Sequence, residues 1–456
     1  QFKVADCLFR GAEYASASSN YWAAISIATN TVGYNNRLVD RALYQIVRSG
    51  VEQLDLLSAN QAVSNLIEWF PSSFYSDRSL LHYGQALSRQ GKPSESRTVL
   101  ASFAKVFPKS TLLPESQLAI ARTHVMDGSW VSSIIDYDRW VTNYPAHPAL
   151  SQAEFDRAWL NHQAGNRARA FQLFTNYVVR FPINPLATVA QKWIADHQFQ
   201  SGKFAEAEQG YRRLFENTNA LAKVRGMDWE ARLNAGRSAF FRQKHAVAES
   251  LLTSVINATN APVAEQARAE FYLGDVAADQ TQRMPDNLYD ALPHYQRVAD
   301  EMVGSQLHPL AWGRIGDCYL QLSNLDRAAE AYRVVTELPG TDMTTRSQAD
   351  LGLARVLAEQ AKAVGDTAER DKLLQQSLKQ CMLIVNGGNL RLSKEKMDPF
   401  WVKEAGLMAG RLAKRLEHAG EEQKIYERLA IELPGMPLWQ AKLKALQPEP
   451  SAPQKP

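Results

Sequence analysis

The fold is decided by residues 77–109, DRSLLHYGQALSRQGKPSESRTVLASFAKVFPK. Apolar residues and Gly84 recur at helical intervals and predict a first helix from about residue 77 to 89. Gly91 and Pro93 then break the pattern, because glycine favours a helix end and proline favours the first turn of the next helix. A second apolar stripe predicts a helix from Pro93 that ends before Pro108. The stretch therefore predicts a helical hairpin with a short turn.

The same features return along the chain with a step of 37 residues. A glycine keeps this step at Gly91, Gly128, Gly165 and Gly202. An aromatic–proline pair keeps it at Phe70-Pro71, Phe107-Pro108, Tyr144-Pro145 and Phe181-Pro182. A fixed period of this size indicates repeated structural units that stack into a solenoid.

Three columns of residues extend the repeat beyond this regular block. The first helices carry a small residue at Ala5, Gly84, Ala121, Ala158, Ala195, Gly236, Gly274, Gly316, Gly352 and Gly410, with Val47 as the exception. The second helices carry a small residue at Ala17, Ala59, Ser96, Ser133, Ala170, Ala207, Ala248, Ala291 and Ala328. Four residues later comes a bulky one: Tyr21, Val63, Leu100, Tyr137, Phe174, Tyr211, Leu252, Tyr295 and Tyr332. Small residues let helix axes approach to about 8–10 Å, and the bulky residue fills the adjoining gap.

This pattern resembles the tetratricopeptide repeat family. In that family a small residue lies late in the first helix, an alanine lies in the second helix, an aromatic residue follows four positions later, and a proline closes the unit. Gly316, Ala328, Tyr332 and Pro339 match these four positions, and the first three are also matched by Ala195, Ala207 and Tyr211. The resemblance covers roughly Gln1 to Leu433. The usual unit of the family is about 34 residues. The longer step, closed by Tyr/Phe-Pro, resembles periplasmic cell-division coordinators and outer-membrane assembly lipoproteins of bacteria.

The sequence thus predicts an all-α fold, a right-handed superhelical α-solenoid of about eleven helix-turn-helix hairpins within one domain, residues 1–446. We expect a capping helix near 438–446, a disordered proline-rich tail at 447–456, and a polar outer side on the last hairpin, where Glu422 replaces alanine. Because the chain starts with Gln1 inside a helical pattern, we expect a processed or truncated N-terminus. The hairpins are predicted near 1–30, 38–70, 77–107, 114–144, 151–181, 187–217, 226–258, 264–303, 308–337, 345–386 and 398–433.

Three segments depart from the regular unit. Residues 279–290 and 361–371 are expected to lengthen turns between paired helices, and residues 386–397 to lengthen a connection between hairpins. Insertions in solenoids lie in loops on one face, which is in some cases the binding face. A tolerated surface loop is the alternative, because long loops cost little entropy.

Composition and motifs argue against several classes of function. A net charge of +3 without basic runs gives no reason to expect nucleic acid, and no apolar stretch is long enough to span a bilayer. Cys7, Cys318 and Cys381 are predicted to be packing residues rather than disulfide partners. Phosphate-binding, hydrolase and metalloprotease motifs are absent, and no two of the nine histidines share a helix face. We therefore predict no enzymatic activity, no cofactor and no metal.

The resemblance implies that the first helices line a concave groove for extended peptides or helices. The residue after each small position is then expected to face this groove, with Trp159 as the main anchor. A tryptophan packed against the next hairpin and a plain solvated face are the alternatives. The candidate binding residues are Gln85, Arg122, Trp159, Asp196, Arg237, Asp275 and Asp317.

The predicted function is a non-enzymatic scaffold for a protein or peptide partner, in the setting of bacterial envelope assembly or division. The resemblance favours the periplasm or the outer-membrane periphery, with the cytoplasm as the alternative compartment. Two other functions remain open at this point. The chain could be the repeat segment of a larger enzyme or secretion machine, or it could bind peptidoglycan or another carbohydrate through its aromatic residues.

Overall fold

The computed structural model describes residues 1–30, 38–216, 227–280 and 287–446, and within these ranges it contains twenty-three α-helices and no strand. The prediction of an all-α solenoid is confirmed. The predicted tail, 447–456, and residues 281–286 of the first predicted insertion lie outside the described residues. The chain divides into two compact units, Gln1–His197 and Gln198–Pro456. The single domain of residues 1–446 and its right-handed superhelical sense stay predictions.

The helices of the first unit follow one another along the chain. They are α1 (Phe2–Arg10), α2 (Tyr14–Asn30), α3 (Val39–Glu52), α4 (Leu56–Trp69), α5 (Ser76–Arg89), α6 (Pro93–Val106), α7 (Leu113–Met126), α8 (Trp130–Asn143), α9 (Leu150–Gln163), α10 (Arg167–Arg180) and α11 (Pro185–Gln200), whose last three residues belong to the second unit.

The second unit continues the same succession of helices. Its helices are α12 (Phe204–Glu216), α13 (Met227–Phe241), α14 (His245–Ile256), α15 (Val263–Asp279), α16 (Asn287–Glu301), α17 (Leu307–Gln321), α18 (Leu325–Glu337), α19 (Met343–Ala363), α20 (Thr367–Val385), α21 (Pro399–Arg415), α22 (Ala419–Glu432) and α23 (Pro437–Ala445).

Each aromatic–proline pair forms the corner between two hairpins of the regular block. The aromatic residue has φ of −134° and ψ of 54° at Phe70, with similar angles at the next three corners, because a following proline disfavours helical backbone. The corner then closes, since the Ser73 amide donates to the Phe70 carbonyl at 2.9 Å. The Ser73 hydroxyl also donates to Asp40 at the start of the preceding first helix (2.6 Å), and Ser110 repeats this bond to Asp77 (2.7 Å). The 37-residue step therefore repeats a corner that is hydrogen-bonded to the previous one.

In nine of the described hairpins the inner turn uses one left-handed residue, seven positions after the small residue of the first helix. Glycine occupies this position in the regular block, with φ of +73° at Gly91. Outside that block the same conformation is adopted by Ala12, Leu54, Gln243, Ser323 and Glu417, with φ between 59° and 66°. The left-handed conformation is sterically unfavourable for a residue with a Cβ. The turn is therefore imposed by packing of the two helices.

The small and bulky columns meet in the core. A Cβ added to Gly84 would lie 2.5 Å from Leu100, and one added to Gly316 would lie 2.6 Å from the Tyr332 ring. Both bulky residues are fully buried. The glycines are therefore required by close approach of a side chain from the paired helix.

Two details of the predicted irregular segments are wrong. Residues 361–371 do not form a long turn, because α19 continues to Ala363 and α20 begins at Thr367, so the extra length is helical. Glu422 is 8% exposed and hydrogen-bonds with Tyr426, so it does not give the last hairpin a polar outer side. The indole of Trp439 on α23 is buried and stacks on the Tyr426 ring at 6.5 Å, where α23 covers α22.

Candidate functional site

The predicted groove residues have different surroundings in the two units. In the first unit, Gln85, Arg122 and Trp159 are exposed, each on a first helix and next to the buried small residue. Asp196 is half-buried, and its carboxylate accepts a hydrogen bond from Lys192 Nζ at 2.9 Å. The first unit therefore presents three of these side chains to solvent.

Trp159 belongs to a group of aromatic rings that continues onto the next first helix. Its indole is 39% exposed, stacks on Phe155 with centroids 6.5 Å apart, and meets the His162 ring edge-on at 5.4 Å. The His162 ring in turn contacts Trp193 on α11 at 5.2 Å. Trp159 is thus held in place by packing while keeping an exposed surface. The ring contacts of Trp159 itself lie within α9, and a role of Trp159 in binding stays a prediction.

The remaining residues of the column lie in the second unit and contact other side chains of that unit. The Arg237 guanidinium lies between the rings of Phe199 and Tyr272, 4.9 Å and 4.8 Å from their centroids, and donates to Asn234. These contacts hold the charge against aromatic faces.

Asp275 accepts hydrogen bonds from two directions. The Tyr295 hydroxyl of the paired second helix donates to Asp275 Oδ1 at 2.8 Å, and Arg314 Nε of the next first helix donates to the same oxygen at 3.0 Å. Burial and then the Asp275 charge raise the pKa of Tyr295, so its hydroxyl remains the proton donor. Asp275 therefore joins three helices of the second unit.

Asp317 repeats this arrangement one hairpin later. It accepts from the Tyr332 hydroxyl at 2.6 Å and from Gln348 Nε2 of the next first helix at 3.2 Å. Burial raises the pKa of Asp317 above its ordinary value, although Tyr332 and Arg314 oppose this shift. Asp275 and Asp317 thus act mainly as ties between hairpins.

The first unit contains the same tie with its charges exchanged. Arg122 occupies the position of Asp275, and Asp156 on the next first helix occupies the position of Arg314, three residues before the column. The Tyr137 hydroxyl donates to Asp156 Oδ2 at 3.2 Å and also lies within hydrogen-bonding reach of Arg122. The geometry therefore accepts either polarity as long as tyrosine lies between opposite charges.

Sequence reasoning missed the polar role of these tyrosines. It placed Tyr137, Tyr295 and Tyr332 in the bulky column as fillers of space, where leucine also occurs. A buried tyrosine requires a partner for its hydroxyl. The choice of tyrosine over leucine was therefore a usable signal that a charged residue lies opposite.

Residues 386–397 return onto the start of α19 and are called here the returning segment. Arg346, which is 2% exposed, donates to the carbonyl oxygens of Asn389 (3.1 Å) and Thr341 (2.6 Å) and to Glu395 (2.6 Å). Asn389 Nδ2 donates to Asp350 at 3.0 Å. The sequence predicted a surface loop here, either as part of a binding face or as a tolerated insertion. Neither prediction included these buried polar contacts around Arg346, which fix the segment in place.

The described residues lack two further features, a cluster of metal ligands and a membrane-spanning helix. They contain no group of three or more His, Cys, Asp or Glu side chains that could hold a metal ion. Within the same ranges, no helix combines the length and the apolar character that a membrane span needs. The thiols of Cys318 and Cys381 are buried, which raises the pKa of each to about 12.

Comparison with known proteins gives matches to repeat proteins. Two family models described as tetratricopeptide repeat match residues 78–110 and 287–341. A search of curated protein sequences found no match.

Three of the solved structures that match this chain are the following. The C-terminal part of a TPR repeat-containing protein from Cytophaga hutchinsonii is 15% identical, with a TM-score of 0.45 over 59% of this chain and 98% of that chain. A tetratricopeptide repeat protein from Parabacteroides merdae is 19% identical, with a TM-score of 0.34 over 60% and 98%. Yeast Tom70 is 11% identical, with a TM-score of 0.41 over 97% and 93%.

The two family matches cover separate hairpins, one in each compact unit. The match at residues 78–110 overlaps the stretch 77–109, from which the helical hairpin was predicted. The match at residues 287–341 includes Gly316, Ala328 and Tyr332, on which the resemblance was based. Residues 78–110 and 287–341 of this chain match the tetratricopeptide repeat family.

Proposed function

We propose that this protein is a non-enzymatic interaction scaffold that binds a protein partner through the first helices of its first unit. The binding surface, called here the first-helix face, consists of Gln85, Arg122, Met126, Trp159 and His162. Tetratricopeptide repeats suggest a protein-interaction scaffold, which supports the general function. The position of the surface is supported by exposure and by the contacts of its side chains.

The observation that best supports this binding surface is the exposed indole of Trp159. Its ring is oriented by Phe155 and His162, so little side-chain entropy is lost when a partner covers it. Met126 on the preceding first helix is 52% exposed and adds apolar surface. Tryptophan is among the residues that contribute most to binding energy at interfaces, especially when a partner excludes water around it.

The second unit supports this location by contrast. Asp275 and Asp317 already accept hydrogen bonds from tyrosine and from the next first helix. A ligand that recruited these carboxylates would have to break those bonds. We therefore centre the binding surface on Trp159 in the first unit and assign Asp275 and Asp317 to stability.

The experiment compares capture of partners from an extract of the source organism by the wild-type protein and by Trp159→Ala. Trp69→Ala is the matched control, because Trp69 is 47% exposed but lies on a second helix. We expect at least one captured protein to be lost with Trp159→Ala and retained with Trp69→Ala, and the purified pair to bind directly. Equal recovery with both variants would show that the first-helix face does not bind the partner.

A role in bacterial envelope assembly or division stays a prediction based on the resemblance alone. The same holds for the alternative that the chain is the repeat segment of a larger enzyme or secretion machine. Identification of the captured protein would distinguish these settings.

A further inference from the structure

We propose that a cleft between α14, α15 and α16 of the second unit is a binding site for a small aliphatic amine in its ammonium form. The site lies outside the first-helix face and does not depend on the proposed function. The cleft has a volume of about 320 Å³ and is partly open to solvent. This volume lies at the lower end of the range of small-molecule pockets, so we expect a ligand with few heavy atoms.

The floor of the cleft is an apolar stripe of α15. Leu273, Val276 and Ala277 lie three and four positions apart, so they share one face of that helix. Gln280 follows one turn after Val276, at the C-cap of α15, and adds an amide at the end of the stripe. From Leu273 to Gln280 the chain rises about 10 Å along the helix, which gives the length of the floor. The floor therefore suits the methylene groups of an alkyl stem.

Each wall of the cleft carries one carboxylate. Glu249 and Thr253 lie four residues apart on α14, so they share a helix face. Asp290 and His294 have the same spacing on α16, and both wall helices contact α15. Glu249 and Asp290 are exposed, and among the described residues no lysine, arginine or histidine nitrogen lies within the 4.0 Å salt-bridge distance of either. Both carboxylates are therefore available to a ligand.

The cationic groups near the cleft already have carboxylate partners or lie outside it. Arg297 on α16 pairs with the buried Glu270, and His245 Nε2 at the start of α14 lies 2.9 Å from Asp279 Oδ2. Lys244, which precedes α14, does not line the cleft. None of the described residues that line it is a lysine or an arginine. The two wall carboxylates therefore remain the uncompensated charges.

His294 supplies a third acceptor. Its Nδ1 lies 2.6 Å from Glu270 Oε2, and since a carboxylate accepts, this nitrogen carries the proton. Burial lowers the pKa of His294, although the charges of Glu249 and Asp290 act in the opposite direction. The neutral ring leaves Nε2 as an acceptor. Because both wall carboxylates act on this pKa, they lie near the imidazole.

An ammonium group matches this set of acceptors. It has three N–H donors and no acceptor, and the cleft offers two carboxylates and one imidazole nitrogen. A guanidinium is a planar fork that pairs best with both oxygens of one carboxylate, whereas these carboxylates come from separate helices. The described residues provide no group that could hold a metal ion. An alkylammonium therefore fits best, with its stem over the apolar stripe of α15.

The test uses ligand-detected NMR titrations with the full chain. Probes are added up to about 10 mM, at which a ligand with a Kd of about 1 mM would fill most of the sites. They are butylamine, putrescine, Nα-acetyl-lysine amide and, as the uncharged control, butanol. We expect the amines to bind saturably and butanol not to bind. Tightest binding of putrescine would indicate a free diamine as the ligand, and tightest binding of the lysine amide would indicate a lysine side chain of a protein.

Three variants locate the binding. Glu249→Gln and Asp290→Asn should each weaken the amines about three- to tenfold, since each removes a charge-assisted hydrogen bond that is partly exposed. Ala277→Leu should abolish binding, because the larger side chain covers the floor. Glu330→Gln is the matched control and should leave binding unchanged, because Glu330 is an exposed carboxylate on the second helix α18 outside the cleft.

The absence of saturable binding by every amine would overturn the proposal. So would binding that survives a folded Ala277→Leu variant, or equal losses with Glu330→Gln and Glu249→Gln, which would show a general attraction of cations to the surface. Equal binding of butanol and butylamine would show that charge is not recognised. If circular dichroism shows that Ala277→Leu unfolds the chain, the two charge variants decide. The first-helix face is tested separately by Trp159→Ala.

Discussion

Two glycines on the same helix should respond in opposite ways to alanine. Gly316 and Gly313 both lie in α17, three residues apart. A Cβ at Gly313 would meet no atom within 4 Å, whereas a Cβ at Gly316 would lie 2.6 Å from Tyr332 Cε1. Gly313→Ala therefore tests helix propensity alone, and Gly316→Ala adds the close approach of the ring.

The magnitude follows from how firmly Tyr332 is held. Its ring is fully buried, its hydroxyl is bonded to Asp317 at 2.6 Å, and a Cβ at Gly352 on its other side would lie 2.5 Å away. The ring cannot retreat from either glycine, so Gly316→Ala should cost about 1–3 kcal/mol of overpacking. Alanine regains about 1 kcal/mol of helix propensity in both variants. We expect Gly313→Ala to stabilise by about 1 kcal/mol and Gly316→Ala to be neutral or destabilising by up to about 2 kcal/mol.

The assay is urea unfolding followed by circular dichroism, with hydrogen exchange of α17 and α18 as a local measure, because long repeat arrays need not unfold in one step. The double variant Gly316→Ala/Tyr332→Leu provides the internal control. Removing the ring should make the alanine as favourable as it is at Gly313, which a double-mutant cycle detects as coupling. Equal stability of Gly313→Ala and Gly316→Ala in the wild-type background would refute the packing argument.

Four further outcomes follow from single contacts. Arg346→Ala should raise hydrogen exchange in the returning segment about thirtyfold, because two hydrogen bonds of about 1 kcal/mol each to that segment are lost; unchanged exchange would mean that the arginine does not hold the segment. Because burial raises the pKa of Asp317, the folded state binds this proton more tightly than the unfolded state, so its stabilising effect is complete below about pH 4 and is lost as the pH rises through the folded pKa. Asp317→Asn should therefore flatten the fall of stability in urea titrations above about pH 4, and an unaltered pH profile would contradict this. Arg122→Asp combined with Asp156→Arg should unfold at higher urea than either single variant, since the second unit uses the reversed polarity; additive losses would argue against a shared tie. Leu54→Gly should raise the melting temperature, with a gain of about 1 kcal/mol, because Leu54 is 69% exposed and has φ of 66°; a lower melting temperature would show that its side chain contributes packing.

The sequence predicted the fold correctly wherever the backbone conformation depends on residues close together in the chain. Gly91 and Pro93 mark a turn through their backbone preferences, and Phe107-Pro108 marks a corner, so both are visible without tertiary contacts. Leu54 and Glu417 take the same turn conformation without glycine, and no local preference shows this. Their conformation is imposed by the two helices that pack on either side.

The sequence predicted which residues follow the small position, but not whether their side chains are exposed. The rule that selected the residue after each small position found Arg122, Trp159 and Asp275 alike. Whether such a side chain is exposed depends on which residue of the next hairpin lies opposite it. The period of the sequence does not identify that residue. Arg314 pairs with Asp275, whereas Trp159 has only aromatic neighbours on one side.

By itself the sequence determined the repeated unit, because glycine, proline and the size of side chains act on backbone and helix contacts within one hairpin. The tertiary structure decided which polar groups are neutralised, because the ties from Tyr295 and Tyr332 and the hub at Arg346 join residues that are far apart along the chain. It also decided that Trp159 keeps an exposed surface, whereas Arg237 and Asp275 contact neighbouring side chains. That difference arises from pairing between successive hairpins, which depends on distance in space rather than on position in the repeat.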